Sequence, residues 1–208
     1  MNNKKTLMVI SLALVLLIGG ASVLYTRLGS SVSMDQLAVQ QTQQTGTAAE
    51  TADQETADQG AADQEAAGPE PALAPDFTVY DREGNEVQLS DYTGKPIVLN
   101  FWASWCGPCQ MEMPDFHEKY LELGQDVHFL MVNMTDGSRE TVDSASAFID
   151  KNAYGFPVFY DTAVDAARTY GVYSLPTTYF INAKGQAIAQ ATGTINAETL
   201  QRGIDMIM

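Results

Sequence analysis

The chain has 208 residues, with 26 acids against 11 bases and a formal net charge of −15. A balance this acidic argues against nucleic acid as a partner. Two cysteines occur, Cys106 and Cys109, so a four-cysteine metal site is excluded, and only His117 and His128 remain as histidine ligands.

The composition divides the chain into three parts. Lys4 and Lys5 precede an uncharged run at 7–25, and Arg27 closes it. A helix of that length reaches roughly 28 Å, close to the hydrocarbon thickness of a bilayer. Bases ahead of the run favour an N-terminus inside and the remainder outside. The sequence therefore predicts a single membrane-spanning signal-anchor over 1–27, with a cleaved signal peptide ending near Gly19-Gly20-Ala21 as the alternative. Either way the bulk of the chain is exported.

Residues 28–72 are low in complexity, with TADQ, TADQ and AADQ in succession, eight acids and no aromatic residue. Such a segment buries too little apolar surface to offset its ordering entropy, and reads as a disordered tether. Residues 73–208 hold both tryptophans and sixteen of the seventeen Phe and Tyr, enough for one domain with a substantial core.

Within that domain a hairpin is expected first, with 77–80 and 86–89 flanking the turn at 81–85. The apolar run 96–102 reads as a central strand buried on both faces. A helix follows the cysteines to about Leu123, stopped at Gly124, and 127–133 forms another buried strand. A helix around 140–152 carries Val142, Ala145 and Ile149 on one face, and 156–160 forms a short strand. Asp161 caps a helix running to Gly171. Segments 178–182 and 186–192 pair as a second hairpin. Asn196 caps a terminal helix with Leu200, Ile204 and Ile207 at helical spacing. Strands alternating with helices give an α/β fold with a mixed sheet.

The pair Cys106-Gly107-Pro108-Cys109 opens a helix directly after a buried strand. There the free N–H groups and helix dipole favour a thiolate, so Cys106 is the expected nucleophile. Cys109, one turn in, is the expected resolving thiol, and Pro108 suits a first helical turn. A permanent structural disulfide would close too small a loop to constrain much. A zinc site lacks ligands. Trp102 reads as core, and Met111 and Met113 as packing. Eight residues separate His117 from Cys109, too far for a Cys–His catalytic pair, and His128 is assigned no role.

The run FWASWCGPC resembles the active-site motif of thioredoxins. The run 109–114, CQMEMP, resembles the C-x-x-E-x-P signature of the TlpA/ResA branch of membrane-tethered thioredoxin-like proteins. APDF at 74–77, LSDY at 89–92, FPVFYD at 156–161 and YGVYSLPTT at 170–178 are similar to that branch too, so the resemblance covers 73–208. It implies a thioredoxin-like fold with a helix–strand insertion at about 140–160. It implies a cis-Pro176 facing the cysteines, which leaves the backbone at Leu175 free for an incoming peptide.

Asn100 stands where thioredoxin has a buried Asp, and the resemblance implies that Glu112 handles protons instead, a solvent-facing helix Glu being the alternative. Trp105, Gly107, Pro108, Leu175, Pro176 and Gly193 would form the substrate-binding rim. The implied activity is extracytoplasmic thiol–disulfide exchange, most simply reduction of disulfides in exported proteins, with apocytochrome c or a methionine sulfoxide reductase as candidate substrates. The implied electron source is a CcdA/DsbD-type membrane carrier. A disulfide-forming oxidase or isomerase and a non-catalytic binding module are the alternatives, and no motif suggests a metal, nucleotide or haem cofactor.

Overall fold

The computed structural model describes residues 37–39 and 70–208. The expected anchor at 7–25 and most of the tether at 28–72 lie outside the described residues. Among the described residues no helix is long and apolar enough to cross a membrane.

The strands are β1 (Leu37–Val39), β2 (Thr78–Tyr80), β3 (Glu86–Gln88), β4 (Ile97–Trp102), β5 (His128–Asn133), β6 (Val158–Tyr160), β7 (Thr177–Ile181) and β8 (Ala187–Thr192). They form one sheet in the order β1-β8-β7-β4-β5-β6-β2-β3. Strands β4, β5 and β6 run parallel, and the remaining neighbours pair antiparallel. The helices are α1 (Gly107–Leu123), α2 (Val142–Asn152), α3 (Asp165–Thr169) and α4 (Ala197–Asp205), with a 3₁₀ turn at Leu89–Tyr92.

Every residue of β4 is buried, and its alternation divides the core. Ile97, Leu99 and Phe101 enter one cluster with Phe77, Val79, Tyr170 and Tyr179, under the N-terminal hairpin and α3. Val98 and Trp102 enter the other with Met113, Phe116, Ile149, Leu200 and Ile204, under α1, α2 and α4. The cysteines belong to this second cluster, so the redox pair sits on a packed apolar floor. Helix α1 runs through Pro114, whose missing N–H leaves the Gln110 carbonyl without its helical partner.

Three differences from the sequence reading have physical reasons. Residues Leu37–Val39 fall inside the expected tether yet pair with Ala189–Ala191 of β8. Strand β8 would otherwise present an unpaired edge there, and its start is likewise paired by the main chain at Ala72 and Leu73. Helix α2 begins at Val142, with Thr141 as its capping residue, because Glu140 is turned inward and fully buried. Helix α3 is short and Val164 precedes it, but Asp161 serves its first turn from further back. The Asp161 carboxylate accepts from the N–H groups of Asp165, Ala166 and Ala167 at 2.7, 3.3 and 2.8 Å.

Candidate active site

Strand β4 delivers the chain to the start of α1, where Cys106 occupies the capping position. Cys106 and Cys109 are joined in a disulfide, and the Cys106 Sγ accepts the Cys109 N–H at 3.2 Å. This is the donor that would face a thiolate once the bond is reduced, where the helix dipole adds to its stabilisation. Cys109 is completely buried, while Cys106 retains 4% exposure at the rim, so an incoming sulfur reaches Cys106 first.

A groove of about 460 Å³ opens over Cys106. It is lined by Trp105, Gly107 and Pro108 around the nucleophile, by Val172, Tyr173, Ser174 and Leu175 before the cis-proline, and by Met134, Asp136 and Arg139. The Leu175–Pro176 peptide is cis. Gly193 does not line the groove; it donates its N–H to the Pro176 carbonyl at 2.9 Å and holds that loop from behind. Its φ of +92° belongs to the region that favours glycine. Pro176 is itself buried. Met111, expected to pack, is two-thirds exposed, whereas Met113 is buried as expected.

Glu112 is not a solvent-facing helix residue. It is 1% exposed, and its carboxylate accepts from Asn100 Nδ2 at 2.9 Å and from the Ile195 N–H at 3.0 Å. Burial pushes its pKa up to about 7, the two hydrogen bonds opposing the shift only in part. Asn100 also donates to Thr178 Oγ at 3.0 Å, its register partner on β7. Cys109 and Glu112 share one face of α1 at i, i+3 spacing. A carboxyl poised near neutrality thus stands on the helix face that carries the buried thiol.

Sequence reasoning missed two residues. Glu140 accepts from the Ser104 N–H at 3.0 Å, the Ser104 hydroxyl at 2.8 Å and Asn133 Nδ2 at 2.9 Å. It thereby ties the segment before α2 to the loop that carries Trp105 and Cys106. Arg139 places its guanidinium carbon 3.5 Å from the centre of the Trp105 ring. Both contacts span more than thirty residues, and no local pattern signals them. Among the described residues no cluster of His, Cys, Asp or Glu is arranged to hold a metal ion.

Residues 72–190, more than half of the chain, match the AhpC/TSA family. The chain belongs to that family. Within it, the chain is 37% identical over 137 residues to the thiol-disulfide oxidoreductase ResA of Geobacillus kaustophilus, an alignment covering 65% of this chain and 76% of the relative. To ResA of Bacillus subtilis it is 33% identical over 135 residues, covering 64% and 73%. Among solved structures, StoA from Bacillus subtilis aligns with a TM-score of 0.55 at 28% identity, covering 64% of this chain and 98% of that one. The exposed lipoprotein thioredoxin Etrx1 of Streptococcus pneumoniae aligns with a TM-score of 0.54 at 32% identity, covering 63% and 98%. The fold is thus thioredoxin-like, and the AhpC/TSA-family domain is a thiol–disulfide oxidoreductase of the ResA type working through Cys106 and Cys109.

Proposed function

We propose that this oxidoreductase works outside the cytoplasm as a reductase of disulfides in exported proteins, held to the membrane by an N-terminal helix at about 7–25. The observation that carries the reading is the redox pair itself, whose intervening Gly107-Pro108 dipeptide resembles that of strongly reducing thioredoxins. Cys109 is fully buried and Cys106, 4% exposed, lines an open groove at a helix N-terminus. The uncharged run after Lys4 and Lys5 supports the anchor, and the acidic segment at 28–72 supplies reach.

In the reductive direction, the Cys106 thiolate attacks one sulfur of a substrate disulfide. The Cys106–substrate bond forms as the substrate S–S bond breaks, and the departing sulfur leaves as a thiolate that takes a proton from water. Cys109 then gives its proton to the Glu112 carboxylate and attacks Cys106 Sγ, expelling the second substrate thiolate. Two electrons pass to the substrate, and the domain is left with the Cys106–Cys109 disulfide. The backbone at Leu175, beside cis-Pro176, pairs with the substrate strand during the attack. A CcdA/DsbD-type membrane carrier returns the electrons. Apocytochrome c and methionine sulfoxide reductases are the candidate substrates.

Substitution of the resolving thiol tests this directly. C109S should accumulate mixed disulfides with exported proteins through Cys106, released by dithiothreitol, and C106S should trap none. Equal trapping by the two variants, or none by either, would overturn the assignment of roles.

A further inference from the structure

Among the described residues the groove over Cys106 is lined by one cation, Arg139, and that cation makes no ion pair. Arg82, by contrast, holds the Asp150 carboxylate at 2.8 Å. Among the described residues no carboxylate lies within ion-pair distance of Arg139, and no acceptor takes its guanidinium N–H groups. The two nearest acids in sequence make their hydrogen bonds to other groups. Asp136 Oδ1 accepts the N–H groups of Ser138 and Glu140 at 2.8 and 2.9 Å, and the Glu140 carboxylate is held by Ser104 and Asn133. What positions Arg139 is the Trp105 ring, through a cation–π contact that leaves its guanidinium N–H groups open to a further acceptor. Asp136 of the same groove nevertheless feels the Arg139 charge: its pKa is lowered chiefly by the Glu140 N–H and in part by that charge.

An arginine fixed on an aromatic face with five free donors is a receptor for a planar carboxylate. It lines the same groove as the nucleophile, together with Trp105, a Tyr173 that is 98% exposed, and the exposed acid Asp136. Tryptophan, tyrosine and arginine are the residues that most often carry binding energy at interfaces.

We propose that Arg139 is a specificity-determining residue that selects polypeptide substrates bearing an Asp or Glu side chain next to the cystine under attack. The wider domain, with eighteen acids to eight bases over residues 73–208, repels acidic partners. That repulsion is screened beyond about 8 Å at physiological ionic strength, so the contact at Arg139 decides recognition. The proposal rests on the reductase reading, and the test separates the two.

The probes are disulfide-looped peptides identical except for Glu, Gln or Lys beside the reacting cysteine. Their reduction is followed with the full-length protein and with R139Q and R139K. The wild type should prefer the Glu peptide over the Gln peptide by about two- to fivefold in kcat/KM, mostly through KM, with the preference shrinking as salt is raised. R139Q should bring that ratio to about one, and R139K should retain part of it. A wild-type ratio of one, or a preference that survives in R139Q, overturns the proposal. A loss in R139Q that is equal for all three peptides also overturns it, because Arg139 would then act on the Cys106 thiolate. Oxidised glutathione separates the sources of carboxylate: if R139Q loses turnover on glutathione alone, the polypeptide assignment fails. Failure to reduce any peptide removes the reductase reading and the proposal with it.

Discussion

Glu112 is a carboxyl that folding places almost out of reach of water, and the consequence is a pH dependence of stability. Its pKa is raised from the ordinary Glu range to about 7 by burial. The folded state therefore binds a proton that the unfolded state has already released over that interval. The associated stability is fully present below about pH 4.3 and is lost as the pH rises through 7. The loss amounts to about 3 kcal/mol across the window. E112Q should lack it, so urea denaturation of the oxidised protein at pH 4.5 and 7.5 should show a smaller decline for the variant than for the wild type. Parallel declines would mean that the Glu112 carboxyl does not titrate there. At this scale the sequence was informative where chemistry is local: two cysteines at a helix start, and a Glu one turn beyond. Burial of Glu112 was not legible, because it depends on Asn100 and Ile195 arriving from β4 and from the segment after β8. Arg139 and Glu140 were silent for the same reason.

The elements explain how the site is held still. Helix α1 is fixed against α4, and α4 in turn lies on β7, where the Phe180 ring fills the space that a Cβ at Gly203 would need. Gly203 is buried, so its lack of a side chain serves close packing and not a special backbone angle. G203A should cost about 1–3 kcal/mol through displacement of Phe180, despite alanine's better helix propensity. A thermal or urea transition at the wild-type position would contradict that packing. The strands of the central sheet were readable because their apolar residues alternate or run continuously, as at β4 and β5. The start of α4 was readable from its cap, Asn196 accepting the Thr199 N–H at 2.8 Å as expected. The start of α2 was displaced by a buried carboxylate, a feature that resembles an ordinary first-turn acid until the fold supplies Ser104 and Asn133. Strand β1 had no legible pattern at all. Three residues in a low-complexity segment become a strand only because the edge of β8 is available to them.

For the whole molecule, the central claim is the direction of electron flow. In the proposed arrangement the uncharged run behind two lysines and the acidic segment display the thioredoxin-like body at a distance from a membrane. The intervening Gly107-Pro108 dipeptide resembles that of strongly reducing thioredoxins, and on this the reductive assignment depends. The decisive measurement is the reduction potential of the Cys106–Cys109 couple in the full-length protein, equilibrated in dithiothreitol or glutathione redox buffers. The account predicts a value of about −250 mV or lower, near the thioredoxin end of the scale. A value near about −120 mV would contradict it and make the protein an oxidant.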